Sequence, residues 1–548
     1  MEYYKKIATG SARHGKPIDQ NYSYGTAGFR CRANLLDSVM YRMGILAALR
    51  SKQTKATVGV MITASHNPEE DNGVKLVEPM GEMLVPDWER YATWMANSSN
   101  EDLESTVKKV IKEAEVDLSV SANVFVARDT RPSSVSLVQS LKDGVTAMES
   151  QLTDYGLLST PQLHYMVRCY NTKQAYGQHT EQGYYKKLAH AFHSLHKLSD
   201  VGGGDYSNQI LLDGANGVGA LKVMQFLNHM ESSILNITVC NDGSNGKLNE
   251  MCGADYVKVQ QKPSSGMPSQ VGVKCVSFDG DADRIVYFYI DTNQCFHLLD
   301  GDKIATLIAG YIQELLTQSG LQLNLGLVQT AYANGSSTKY ASETLKVPVA
   351  CVNTGVKHLH HKAQKFDIGV YFEANGHGTV LYSKNAEEKI QQACEDSSLS
   401  KDQQKSATVL KHFVDLTNQT VGDALSDLLL VETILWAKRW TVDTWNASYT
   451  DLPNRQLKVK VADRTAVQTT DAERQCTRPA GLQDAINTLI ANYQSARSFV
   501  RPSGTEDVVR VYAEAATREQ ADKLAYEVAG KVYDLTNGVG DRPVAPSS

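Results

Sequence analysis

The densest chemistry in the chain lies in six consecutive residues, Asp279-Gly280-Asp281-Ala282-Asp283-Arg284. Carboxylates at alternate positions point to one side of an extended backbone, but residues i and i+2 then stand about 6.6 Å apart. Ligands of one Mg²⁺ each sit about 2.1 Å from it and must lie much closer together. The segment therefore has to curl around an ion, and Gly280 is the residue expected to give the backbone that freedom. An EF-hand calcium loop requires Gly at its sixth position and Glu at its twelfth. Arg284 and Ile290 stand there, so that reading is excluded. A solvated acidic turn would use the same residue types. The apolar run Cys275-Val276-Ser277-Phe278 immediately before favours a loop at the end of a buried strand, where a hard cation would be held.

Three other segments offer complementary groups. Thr63-Ala64-Ser65-His66-Asn67-Pro68 follows the apolar run Thr57 to Thr63, so Ser65 is expected at the carboxyl end of a strand, where α/β proteins place ligands. Pro68 biases Asn67 away from helix, which predicts an extended loop. There is no GxSxG elbow and no hydrolase triad by spacing; a serine beside a histidine would serve equally as a polar loop cap. Arg501-Pro502-Ser503-Gly504-Thr505 combines a guanidinium, two hydroxyls and a glycine that exposes backbone N–H groups, with Arg510 on the following strand. These suit a phosphate cradle, and would also suit an ordinary hairpin with a surface arginine. Glu373-Ala374-Asn375-Gly376-His377-Gly378 places a carboxylate and a carboxamide, both suited to sugar hydroxyls, after another apolar run. Lys357, His358, His360 and His361 form a basic cluster in and after the loop Thr354 to His358. It could meet phosphate, but it lacks partners for a zinc site.

The elements that must position these loops are legible as alternating apolar runs and helical patterns. Strands are expected at Thr57 to Thr63, Val124 to Ala127, Gln209 to Leu212, Val273 to Phe278, Leu325 to Thr330 and Asp367 to Phe372. Asp213-Gly214-Ala215-Asn216-Gly217-Val218-Gly219 leads into an amphipathic run. Its glycines miss the GxGxxG order, so a tight crossover turn is favoured over a dinucleotide site. Asp300 and Asp302 suit the cap of a helix over Lys303 to Ser319. A polar connection ending in Gly202-Gly203-Gly204 marks a boundary. Beyond about Tyr449, the alternation Leu457-Lys458-Val459-Lys460-Val461, a helix near Leu482, a strand at Val508 to Ala513 and a helix over Arg518 to Leu535 give an α+β order. The expected domains are 1–185, 186–299, 300–445 and 446–548.

A chain of 548 residues exceeds one hydrophobic core, and 42% hydrophobic with 21% charged residues is ordinary for a globular protein. With 55 basic against 61 acidic residues the formal charge is −6, which argues against a nucleic-acid binder. No apolar stretch reaches the about 20 residues a bilayer requires, and no secretory signal pattern opens the sequence. The 9 cysteines are scattered without a CxxC pair. These features predict a cytoplasmic, reducing location without membrane or nucleic-acid partners.

Taken in order, Tyr24 to Arg30 (YGTAGFR), Thr63 to Lys75 (TASHNPEEDNGVK), Ala127 to Pro132 (ARDTRP), Phe278 to Ile285 (FDGDADRI), Phe372 to Gly378 (FEANGHG) and Arg501 to Val508 (RPSGTEDV) resemble the α-D-phosphohexomutase superfamily, and in particular its acetylglucosamine-phosphate branch. The resemblance spans essentially the whole chain. Glucose and mannose mutases of the superfamily usually carry serine where Asn375 stands. The resemblance implies three α/β domains with mixed sheets between helices and a smaller C-terminal α+β domain, around a central cleft. It implies a covalent phosphate on Ser65, with Mg²⁺ held by Asp279, Asp281, Asp283 and a phosphate oxygen on Ser65. It places Arg30, His66 and Lys75 beside the reacting group. Sugar binding is implied for Glu373, Ala374 and Asn375, and phosphate binding for Arg501, Pro502, Ser503, Gly504, Thr505 and Arg510. The implied reaction interconverts N-acetylglucosamine 6-phosphate and 1-phosphate through a 1,6-bisphosphate. A glucose or N-acetylglucosamine 1,6-bisphosphate would be the activator, and the enzyme a monomer or weak homodimer. A glucose or mannose mutase, a phosphoserine-dependent phosphatase and a non-catalytic sugar-phosphate sensor are the alternatives.

Overall fold

The computed structural model describes residues 2–198, 204–268, 270–504 and 506–545. The expected glycines Gly202 and Gly203, and Thr505 of the presumptive cradle, lie outside the described residues. The chain divides into two compact units. One comprises Met1–Asp300, Asn375–Thr379 and Val409–Val442; the other comprises Gly301–Ala374, Val380–Thr408 and Asp443–Ser548.

The first unit contains two five-stranded sheets with the same pairing pattern. Strands β1 (Phe29–Arg32), β2 (Val58–Ile62), β3 (Asp71–Val77), β4 (Asn123–Arg128) and β5 (Gln151–Leu157) take the order β1-β3-β2-β4-β5. The β1–β3 and β3–β2 pairs are antiparallel, and β2–β4 and β4–β5 are parallel. Strands β6 (Gln209–Asp213), β7 (Asn236–Cys240), β8 (Cys275–Phe278), β9 (Ile285–Ile290) and β10 (Phe296–Leu299) repeat that arrangement as β10-β9-β8-β6-β7. Here too two antiparallel pairings are followed by two parallel ones. Both Ser65 and the three aspartates therefore occupy loops joining neighbouring antiparallel strands, β2 to β3 and β8 to β9. β2 and β8 are buried at every residue, as strands with both faces covered must be, which explains why they read as continuous apolar runs.

The second unit carries a four-stranded sheet, β12-β11-β13-β14, made from β11 (Leu325–Thr330), β12 (Val349–Val352), β13 (Ile368–Phe372) and β14 (Gly378–Tyr382). It also carries a three-stranded antiparallel sheet, β15-β19-β18, and a small hairpin. The strands are β15 (Asn454–Lys460), β16 (Gln468–Thr470), β17 (Gln475–Arg478), β18 (Arg497–Pro502) and β19 (Val508–Glu514). The Glu373 segment joins β13 to β14 and the Arg501 segment joins β18 to β19, so all four chemical loops connect strands adjacent in a sheet. One expected cap differs: Asp302 lies inside the helix Gly301–Ser319, and its Oδ2 accepts the backbone N–H of Asn334 at 2.8 Å instead. No helix among the described residues is long and apolar enough to cross a membrane.

The first sheet is covered by the helix Asp37–Thr54, of which Val39 to Leu49 are wholly buried, and it packs on the helix Ser134–Ala147. Their backbones meet at Gly44 and Gly144. A Cβ on Gly144 would stand 2.0 Å from the carbonyl oxygen of Tyr41, a contact no rotamer change can relieve. Gly144→Ala gains about 1 kcal/mol of helix propensity, but the overpacking outweighs it. The expected net loss of about 1–3 kcal/mol is measurable as a lower urea midpoint for this part of the chain.

Candidate active site

Asp279, Asp281 and Asp283 are all buried, and one carboxylate oxygen from each lies within 4.8 Å of the others. The expected curl is present, but its origin differs. The left-handed residue is Ala282 (φ 59), and the turn closes with Ala282 N–H donating to Asp279 O at 3.1 Å. Gly280 is needed for another reason: a Cβ there would stand 2.5 Å from the carbonyl oxygen of Ser65. Absence of a side chain at 280 brings the aspartate loop onto the serine loop.

Two helix starts secure the aspartate loop. Ser159 and Gln162 form a reciprocal capping box at the helix Thr160–Asn171. Its first residue then donates twice to Asp281: Thr160 N–H to the backbone oxygen at 3.1 Å and Thr160 Oγ1 to Oδ2 at 2.6 Å. Asp423 caps the helix Ala424–Lys438, whose first N–H donates to Ala282 O at 3.1 Å. Loop carbonyls thus satisfy N–H groups that a helix start leaves free, and the start of the helix Thr160–Asn171 meets the Asp281 carboxylate.

Charge in the cluster is unevenly shared. Burial, reinforced by the charges of Asp283 and Asp281, pushes Asp279 well above the usual carboxylate range. Burial also acts on Asp283, but Lys75 and His377 outweigh it and hold that carboxyl well below the range. Lys75 Nζ donates to Asp281 Oδ2 at 2.9 Å and to Asp283 Oδ2 at 3.0 Å, and His377 Nδ1 lies 3.3 Å from Asp283 Oδ1. Oδ1 of Asp281 has no hydrogen-bond partner among the described residues, and Oδ1 of Asp283 meets the His377 ring. Three crowded carboxylates that cannot all ionise, with an oxygen left over, fit a hard divalent cation.

Ser65 is buried and strained. Its φ is +51°, a conformation unfavourable for a residue with a Cβ. The predicted extended loop is instead a turn, Asn67 N–H to Ala64 O at 3.0 Å, followed by a second, Asp71 N–H to Pro68 O at 3.1 Å. Two side chains grip its carbonyls. Arg131 Nη2 donates to Ser65 O and Asn67 O, both at 2.9 Å, while its Nε pairs with Asp129 at 3.0 Å. Asn249 Nδ2 donates to the same two oxygens at 2.8 and 2.9 Å. Thus held, Ser65 Oγ donates to Asp279 Oδ2 at 2.6 Å and lies 3.5 Å from His66 Nδ1.

Of the residues expected near Ser65, Lys75 sits on the aspartates, and His66 sits beside the serine hydroxyl. Arg284, burial and Arg30 drive the His66 ring down to a pKa of about 2. Arg30 stands on β1, opposite Gly73 of β3, and burial together with Arg284 lowers its pKa as well. Asn375 Oδ1 accepts His377 N–H at 3.0 Å, which turns that loop so that His377 reaches Asp283. In the other unit, Glu373 and Ala374 follow β13, Arg501 pairs across β18–β19 with Arg510, and Ser503 N–H closes the loop on Val508 O at 2.9 Å. Pro502 ends β18 and Gly504 stands in open space. His360 of the basic cluster is a core residue bonded to Tyr371 at 3.1 Å. Arg131, Thr160, Asn249, Arg284 and His377 belong to the site by geometry and were not singled out by pattern. Arg131, Arg284 and His377 lay inside the family-like motifs; Thr160 and Asn249 carried no local signal.

Residues 45–101 and 96–176 match phosphoglucomutase/phosphomannomutase α/β/α domain I, and residues 457–531 match the C-terminal domain of the same group, which sets the class as phosphosugar mutases. Residues 175–286 and 300–440 match phosphoacetylglucosamine mutase AMG1 domains II and III. The human phosphoacetylglucosamine mutase is 58% identical over 98% of this chain and 98% of its own length, and that of Saccharomyces cerevisiae is 44% identical over 93% and 95%. The solved structure of Aspergillus fumigatus N-acetylphosphoglucosamine mutase with GlcNAc-6P and magnesium is 48% identical. It superposes with a TM-score of 0.93 over 98% of this chain and 99% of that one. The chain belongs to the phosphoacetylglucosamine mutase family.

The carbonyl clamp yields a test. Asn249→Ala should leave the fold intact and lower kcat about 10- to 100-fold with little change in KM, because displacing Ser65 would cost rate before affinity. Steady-state kinetics beside a urea melt checks this; an unchanged kcat removes Asn249 from the site.

Proposed function

We propose that this chain interconverts N-acetylglucosamine 6-phosphate and N-acetylglucosamine 1-phosphate, supplying the latter to nucleotide-sugar synthesis, with Ser65 as the phosphate carrier. The observation that carries the reading is the strained, buried Ser65 whose hydroxyl is bonded to one of three clustered carboxylates. The full-length relationship to phosphoacetylglucosamine mutases supports the choice of sugar. A serine-to-alanine variant of the Aspergillus enzyme has been solved with glucose 1,6-bisphosphate, which supports a bisphosphate intermediate.

In this reading Ser65 passes its phosphoryl group to the free sugar hydroxyl, and the resulting 1,6-bisphosphate returns its other phosphoryl group to Ser65. Asp279, Asp281 and Asp283, with an oxygen of the Ser65 phosphate, would hold Mg²⁺. When bound, that ion withdraws negative charge from the phosphoryl group in transfer. Lys75 keeps Asp281 and Asp283 ionised and aligned. Arg30 and Arg284 add positive charge near Ser65. His66 is a weak base with a pKa of about 2, so its first role is to orient the serine oxygen by hydrogen bonding. Glu373, Ala374 and Asn375 read the sugar. Arg501, Pro502, Ser503, Gly504, Thr505 and Arg510 take the second phosphate, so that each of four domains, 1–185, 186–299, 300–445 and 446–548, contributes one loop. All nine cysteines are free thiols, which fits the cytoplasm. A 1,6-bisphosphate is the expected activator of a monomeric or weakly dimeric enzyme.

A coupled assay offering N-acetylglucosamine 6-phosphate beside glucose 1-phosphate tests the substrate, and a clear preference for glucose 1-phosphate would displace the reading. Ser65→Ala should keep the fold, lose the phosphorylated species from the intact mass spectrum and lose nearly all turnover. Asp281→Asn should weaken Mg²⁺ binding at least about tenfold by calorimetry; undiminished binding would dismiss the ligand assignment.

A further inference from the structure

The hairpin β16–β17 turns through Asp471, Ala472 and Glu473, and all three residues are left-handed, with φ of 51°, 54° and 67°. None is glycine. A run of three such residues persists only where surrounding contacts over-determine it, and strain of this kind collects at functional sites. Arg474 supplies local contacts, donating to Asp471 Oδ1 at 2.6 Å and Asp471 O at 3.1 Å. Glu473 reaches beyond the hairpin. Its Oε2 accepts from Thr354 twice, from the backbone N–H at 3.0 Å and from Oγ1 at 2.5 Å, and its Oε1 lies 3.4 Å from Nε of Arg501.

Arg501 is the guanidinium that opens the presumed phosphate cradle, and Arg510 is its cross-strand partner. Tyr332 packs edge-on against Phe499 of the same strand, at 5.1 Å between ring centroids. Its buried hydroxyl lies against Arg501. A carboxylate therefore already engages the cation that a phosphate needs, while holding the amide and hydroxyl of Thr354.

We propose that Glu473 is a latch on the phosphate cradle: it occupies Arg501 and Thr354 when no phosphate is bound and competes with the incoming phosphate for Arg501. The proposal rests on the reading of Arg501 to Thr505 as the cradle. A carboxylate and a dianionic phosphate at one guanidinium repel each other, so part of the binding energy is lost in displacing the latch. Weaker ground-state holding suits a reaction whose bisphosphate must leave the cradle and re-enter with its other phosphate. Interactions that merely tighten substrate do not accelerate chemistry. Glu473 is a positioning residue here, acting through Arg501.

The test compares Glu473→Gln and Arg501→Gln with the unaltered enzyme, reading kcat, KM for N-acetylglucosamine 6-phosphate and the inhibition constant of inorganic phosphate. Glu473→Gln keeps an acceptor for Thr354 and removes only the charge. Both KM and the phosphate inhibition constant should fall about 3- to 10-fold, with kcat unchanged or lower, while Arg501→Gln raises both constants. If Arg501→Gln raises them but Glu473→Gln leaves them unchanged or raises them, the latch is wrong and the cradle stands. If Arg501→Gln leaves phosphate binding unchanged, the cradle reading fails and the latch fails with it.

Discussion

Three carboxylates buried within 4.8 Å of one another are the constraint that organises the first unit. Placing such charge out of water is unfavourable unless every oxygen is answered. The answers come from long range: Lys75 from β3, His377 from the Asn375 loop, and Thr160 and Ala424 from two helix starts. Asp281 Oδ1 has no hydrogen-bond partner among the described residues, and burial beside two like charges holds Asp279 well above the usual carboxylate range. The folded chain is thus assembled around a deficit of positive charge that a divalent ion would fill.

Ser65 is subordinate to that arrangement. Ser65 adopts a backbone conformation its own sequence does not favour, and Arg131 and Asn249 hold it there by its carbonyl rather than by its side chain. Its hydroxyl is thereby free to meet Asp279. The two loops approach so closely that residue 280 can carry no side chain. The serine loop and the aspartate loop are consequently one mechanical unit, built from two sheets of the same pairing pattern, each presenting its loop between neighbouring antiparallel strands.

The second unit answers charge in the opposite sense. Arg501 and Arg510 stand side by side across β18 and β19, and Glu473 faces Arg501 from a strained hairpin tip. If this loop takes and releases phosphate, as proposed, a removable internal anion serves it better than unopposed charge.

The sequence by itself determined the elements and the chemistry of the loops. β2, β8, β11 and β13 are buried on both faces, so they stand out as apolar runs, and each expected strand is found within a residue or two. The alternating aspartates carried their meaning locally, because three carboxylates in five residues admit few readings. Where local bias and long-range contact compete, the sequence misled. Pro68 suggested an extended loop, Gly280 suggested backbone freedom and Asp302 suggested a cap. The observed turn, close approach and Asn334 contact arise from partners distant in the chain. Asn249 lies 184 residues from Ser65 and Thr160 lies 121 from Asp281, and neither sits in a recognisable motif. Only the tertiary structure could select them, because a hydrogen bond to a carbonyl asks for a donor in the right place and not for any pattern of neighbours.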